Sequence, residues 1–130
     1  MNWKEYFETK RGKGFLATAG NKGKVDIAVY SRPHVMDDNT LVFGMTERLT
    51  HANLQENPHA VYAFNEKGFE GVRLYLRKVR EETEGSLLEE IQRRADEVVC
   101  PGTGDLIKYV VYFRIIKDLP LVLTRGNKAL

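Results

Sequence analysis

The chain has 130 residues, 42% of them apolar, and its 20 Lys and Arg nearly balance 18 Asp and Glu, leaving a net charge of +2. That length suits one domain, residues 1–130, able to bury its own core, which excludes intrinsic disorder, and so balanced a charge excludes bulk attraction to nucleic acid or membrane surfaces. The longest apolar runs, such as Ala60–Phe64 and Tyr109–Phe113, are five residues, far short of the ~20 that span a bilayer.

In chain order the first element is a helix. Asn2 followed by Glu5 makes a capping-box pattern, Trp3, Tyr6 and Phe7 share one side, and Gly12 and Gly14 end the element. Phe15–Ala19 and Val25–Val29 alternate around the turn Gly20-Asn21-Lys22-Gly23, which predicts a β-hairpin. Pro33 has no donor and breaks the ladder; after the turn Asp37-Asp38-Asn39, Thr40–Met45 reads as a third strand completing a meander.

The period then changes. Thr50–Asn57, with a hydroxyl at its head as the cap and Pro58 behind it, reads as a two-turn helix. Strands follow at Ala60–Phe64 and, past Lys67-Gly68, at Gly71–Val79. Ser86 and Glu89 make another capping box, after which Leu87, Leu88, Ile91, Ala95 and Val98 recur as the stripe of an amphipathic helix. Cys100–Gly104 is a loop, Lys108–Ile116 the last strong strand, and Leu119–Leu123 an extended apolar end. The sum is about six strands and three helices. A mainly β chain of this size, with its sheet antiparallel, curls into a barrel to remove exposed edges.

Most of the usual chemistry fails on spacing. His34, His51 and His59 do not fall where one helix or strand presents them together, and one turn beyond His51 stands Gln55, so no metal site is expected. The one cysteine, Cys100, has no partner thiol and no base near it in sequence; it reads as a semi-buried small residue in a reducing, cytoplasmic setting, and Met1–Phe7 has no apolar signal core. No serine elbow, phosphate-binding glycine loop or dinucleotide fingerprint is present. Basic residues such as Lys22, Lys24, Arg93 and Arg94 are dispersed, with no stacking aromatics beside them, so no nucleic-acid partner is expected.

Two stretches remain. Gly44–Pro58 runs from strand end to polar loop to helix start, a junction that suits an anion: backbone N–H groups carry partial positive charge, Thr46 and Thr50 offer hydroxyls, and Arg48 offers a fork matched to phosphate. Each has a plainer reading, Thr50 as a cap, Arg48 as a solvated charge and Thr46 as a strand-end residue. Ala28–Pro33 adds an aromatic ring and a guanidinium at a strand end, equally readable as a solvent-facing edge.

The segments Gly14–Gly20, Gly23–Val35, Asn39–Phe64, Gly71–Val79 and Tyr109–Leu123, and above all Asn-Leu-x-x-Asn-Pro at Asn53–Pro58, resemble the FMN-binding split-barrel family related to pyridoxamine 5′-phosphate oxidase. The resemblance implies a six-stranded antiparallel split barrel forming a homodimer, with FMN in grooves between subunits. Thr46, Arg48 and Thr50 would contact the phosphate. Tyr30, Ser31 and Arg32 would lie along the isoalloxazine ring, with Arg32 as the positive charge beside it, and Met45 and Leu49 would complete the cofactor-binding set. The chain is shorter than the oxidase and lacks its C-terminal extension, so vitamin B6 oxidation is not implied. Open readings are a small oxidoreductase exchanging hydride with a nicotinamide or other small molecule, a flavin carrier or sensor without a substrate, and a member holding heme, through His34 or His51, or a deazaflavin. Arg73, Tyr75 and Arg114 are candidates for the flavin's open side, or for surface and interface positions.

Overall fold

Strands β1 (Lys13–Ala19), β2 (Val25–Val29), β3 (His34–Asp37), β4 (Thr40–Thr46), β5 (His59–Asn65), β6 (Gly71–Glu82) and β7 (Ile107–Pro120), with helices α1 (Trp3–Thr9), α2 (Leu49–Glu56) and α3 (Ser86–Val98), make up the computed structural model, which describes residues 1–122. Every ladder is antiparallel, in the order β2-β1-β5-β6-β7-β4-β3. The mainly β class agrees with the sequence reading, and β3 brings the described strands to seven. Leu123, at the tip of the expected apolar end, lies outside the described residues, while Leu119 and Pro120 continue β7.

The expected meander does not form. After β2 the chain crosses to the far edge of the sheet, because β4 gains more by pairing with β7, where Leu41 faces Phe113 and Phe43 faces Val111. Leu41, Phe43 and Met45 point into the barrel with Leu16, Tyr62, Phe64, Leu74 and Phe113. On the other face of the same strands, Val42, Val110 and Tyr112 lie beneath Leu88 and Ile91 of α3. Burying side chains of this size on both faces contributes roughly 1.5–3 kcal/mol each. Gly44 permits the close approach of α3, since a Cβ there would strike Ile91 and Ile107.

Edges β2 and β3 share no ladder, so the barrel is split. Helix α1 fills one end, burying Trp3 and Phe7 against Tyr62 and Phe64. Its start is capped as expected, with Asn2 Oδ1 accepting from Glu5 N at 3.0 Å. Its end is held by a residue the sequence reading assigned elsewhere: Arg32 Nη1 donates to the carbonyls of Phe7 at 2.8 Å and Lys10 at 2.9 Å.

Helix α2 spans β1, β2 and β4 and is fixed on two flanks. Asn53 Nδ2 donates to Thr18 Oγ1 at 3.1 Å, both groups buried, and Leu54 enters the core. On the opposite flank the Glu81 carboxylate of β6 accepts from Lys78 Nζ at 2.6 Å, Gln55 Nε2 at 2.9 Å and His51 Nε2 at 3.1 Å, with the His51 ring stacked 3.6 Å from that of Tyr109. The Asn-Leu-x-x-Asn-Pro segment closes the helix: Asn57 N donates to Asn53 O, Asn57 Oδ1 accepts from His59 N, and Pro58 O accepts from Lys78 N.

Two capping expectations fail. Helix α2 begins at Leu49 with Arg48 at the N-cap, because the Thr50 side chain is buried and not free to cap. Helix α3 has Gly85 as its N-cap, at φ 119°, with Ser86 already helical and no side-chain cap bond. Cys100 is exposed rather than semi-buried, with Sγ 3.1 Å from Thr103 Oγ1 in the loop where α3 ends. No helix among the described residues is long and apolar enough to cross a membrane.

Arg32→Ala removes two charge-assisted bonds from the end of α1 and is expected to lower stability by about 1.5–3 kcal/mol in urea unfolding; a loss below about 0.5 kcal/mol would mean that α1 is held by its aromatic contacts alone. Burial alone would raise the Glu81 carboxyl, but hydrogen bonds from Lys78, Gln55 and His51 outweigh it and hold it at about 2. Its contribution is therefore complete above the ordinary carboxylate range and lost as pH falls through about 2. Glu81→Gln should destabilise the fold by about 2 kcal/mol at neutral pH, with the difference from the parent shrinking steadily once the pH drops below about 4.5.

Candidate functional site

A cleft of about 470 Å³ opens where the barrel is split. One wall is β2, the other α3 and the residues after it, the floor is β4, and the N-terminus of α2 closes one end. Val42, Phe43, Gly44 and Thr46 of β4 line the cleft, whereas Met45 is buried in the barrel core. Of the eight residues in the expected cofactor-binding set, Tyr30, Ser31, Arg32, Thr46, Arg48, Leu49 and Thr50 line the cleft and Met45 does not.

At the α2 end the backbone offers donors. Arg48 as N-cap cannot accept from the first turn, and no side chain caps the helix, so the leading N–H groups keep their partial positive charge beside the Thr46 hydroxyl and the exposed Arg48 guanidinium. Thr50 turns to Tyr30: burial pushes the Tyr30 phenol up, and a hydrogen bond from Thr50 pulls the other way.

The backbone of Tyr30 and Ser31 is held from inside the barrel. The Tyr62 hydroxyl shares its proton between Tyr30 O at 3.1 Å and Ser31 O at 3.2 Å, and burial pushes the Tyr62 phenol far up, keeping it a donor. Gly14 makes room for this contact, since a Cβ there would collide with the Tyr62 hydroxyl and Tyr30 O. The Tyr30 ring packs edge-on against Phe43, 5.7 Å away. Beside them Arg94 of α3 donates to His34 Nε2 at 3.2 Å. Burial first, then the Arg94 charge, hold His34 below the ordinary histidine value, against the pull of Glu90.

The cleft walls are apolar. Ile27 and Val29 of β2, both 66% exposed, face Ala95, Val98 and Val99. Sequence reasoning missed the α3 wall because Ile91, Ala95 and Val98 read as one stripe turned to the core; Ile91 is buried, but Val98 is exposed. The available signal was Gly44, a strand position without a side chain where a helix must pass. His51 lies outside the cleft in the Glu81 cluster, and Arg73, Tyr75 and Arg114 line neither this cleft nor its neighbour. Among the described residues no three His, Cys, Asp or Glu side chains are grouped to hold a metal ion.

No family model and no curated protein matches the chain. Solved structures do. An FMN-binding protein from Syntrophomonas wolfei is 25% identical with a TM-score of 0.79, over 95% of this chain and 86% of that one. A candidate pyridoxamine 5′-phosphate oxidase from Lactobacillus delbrueckii is 13% identical with a TM-score of 0.65, over 90% of this chain and 89% of that one. HutZ, the heme storage protein from Vibrio cholerae, is 15% identical with a TM-score of 0.61, over 92% of this chain and 95% of that one. The chain has the FMN-binding split-barrel fold of the proteins related to pyridoxamine 5′-phosphate oxidase.

Proposed function

We propose that the chain is an FMN-binding flavoprotein working as a small oxidoreductase. The observation that carries this reading is the uncapped N-terminus of α2, with Arg48 and Thr46 beside it, opening onto an apolar cleft of about 470 Å³. The donor set suits a phosphate, and a volume of this order suits a small organic cofactor. The likeness to the FMN-binding protein from Syntrophomonas wolfei supports the same assignment. Bound FMN supplies reversible hydride or electron transfer.

The chain's own residues have distinct tasks in this reading. Arg48, Thr46 and the first N–H groups of α2 hold the phosphate, while Ile27, Val29 and Val98 exclude water from a flat ring. Arg32, fixed by the α1 carbonyls, presents a positive charge in the cleft lining. Heme is the second reading, favoured by the likeness to HutZ and by His34 in the cleft lining. It would require Arg94 to leave His34 Nε2 first. A carrier or sensor would use the same cleft without turnover.

A homodimer belongs to the proposal. Helix α3 covers Val110 and Tyr112 on the outer face of β7. The uncovered apolar face lies on edge strand β2, where Val25, Ile27 and Val29 are 84%, 66% and 66% exposed. That face continues into the cleft wall, so a second copy seated there would also cover the cofactor.

Apoprotein titrated with FMN and riboflavin should prefer FMN, and Arg48→Ala should weaken FMN about 10–100-fold while shifting apoprotein stability by less than about 0.5 kcal/mol. Equal affinity for both flavins would remove the phosphate from α2, and the absorption spectrum of the purified protein separates flavin from heme. Since cofactor and partner share β2, FMN should lower the dimer dissociation constant in sedimentation across a concentration series. A monomer that keeps FMN at every dilution would refute the shared seam.

A further inference from the structure

A second cleft of about 400 Å³ lies between α1, the start of β3 and α3, and its chemistry differs from the first. Lys4, Arg11, Arg32 and Arg94 line it, against one carboxylate, Glu8. Among the described residues none of these four cations takes part in an ion pair. Their recorded acceptors are uncharged: Arg32 donates to two main-chain carbonyls, Arg11 makes a long contact to Glu8 O, and Arg94 donates to the His34 ring. A guanidinium directed at an imidazole, with Glu90 close enough to influence that ring, is an unusual choice of partner. Burial, then the repulsion of Arg11 and Arg94, lowers Arg32 from its ordinary value, so the like charges act on one another. Convergent, unneutralised guanidinium groups around a concave space are what an oxyanion requires.

The two clefts share Arg32, His34 and Arg94 and therefore adjoin. We infer that the second cleft is an oxyanion site, in which Arg11, Arg32 and Arg94 hold the phosphate or carboxylate end of a small molecule whose body reaches into the first cleft. Identifying that molecule as the redox partner of a bound flavin rests on the function proposed above; the oxyanion site itself does not. Arg48 lines the first cleft and not the second, so the two clusters are made by different residues. Arg32, already pinned through Nη1, is the rigid member, and the exposed Arg11 and Arg94 close on the anion.

The test uses sulfate, which stays dianionic across the histidine range, titrated into the full chain at constant ionic strength, first without and then with saturating FMN. NMR follows the backbone signals near Arg11 and Arg94 and the His34 ring. Sulfate should shift these signals and raise the pH at which His34 titrates, because a bound anion favours the imidazolium. Arg94→Gln and Arg11→Gln should each weaken sulfate, as read at these signals, at least ~10-fold, while the exposed Lys22→Gln, which lines neither cleft, should leave it unchanged. Succinate in a parallel arm distinguishes a carboxylate ligand from a tetrahedral oxyanion. Equal weakening by Lys22→Gln, or no weakening by Arg11→Gln and Arg94→Gln, would overturn the site. Sulfate binding in a chain that takes no FMN upholds the oxyanion site and fells the flavin reading, whereas FMN binding with no response at His34 or Arg94 does the reverse.

Discussion

Helix α2 has eight residues, too few to persist alone in water, and its orientation comes from what grips it. Asn53 is bonded to Thr18 of β1 on one flank, and His51 and Gln55 are bonded to Glu81 of β6 on the other. A helix held at one flank could roll; one held at two presents its N-terminus in a single direction. That direction is the cleft, and the first N–H groups reach it unsatisfied because the N-cap is an arginine. A Ser or Asp at position 48 would cap the helix and consume donors that the cleft needs, so the local rule for helix starts is broken where a ligand can complete it.

The cleft follows from the sheet's failure to close. With β2 and β3 unpaired, the Tyr30–Pro33 segment crosses the split, and Tyr62 and Arg32 fasten it from the barrel and from α1. Exposed edges of this kind are normally blunted by charge or proline. Here Pro33 and Arg32 do that at the crossing, but β2 itself carries Val25, Ile27 and Val29 to the surface. An apolar edge face left open beside a cleft is the arrangement that a second copy and a flat cofactor would jointly bury.

Much of this was legible. Alternation located six of the seven strands, and the Asn2 cap and the apolar stripe located α1 and α3. What failed was long-range. Whether Thr40–Thr46 pairs with β2 or β7 depends on partners some seventy positions away, and hydrophobic period cannot choose between them. Thr50 looked like a cap because the sequence shows a hydroxyl at a helix start but not the Tyr30 phenol that claims it. Met45, which the resemblance puts in the cofactor-binding set, is buried in the barrel core, on the other face of β4 from Thr46. Arg94 was one of several scattered bases until the fold set it beside His34.

Arg32 joins these levels. Its Nη1 holds the last carbonyls of α1, so the helix that plugs the barrel also immobilises the guanidinium. A charge on a free arginine must be ordered when a ligand arrives, at a cost in side-chain entropy; a charge already ordered by folding avoids that cost at binding. The same side chain lines both clefts. Arg11 and Arg94 add repulsion that the fold tolerates because α1 and α3 are anchored elsewhere, by Phe7 in the barrel and by Ile91 over Gly44. Stability and electrostatic preparation thus draw on the same side chain, so a change at position 32 should move both together.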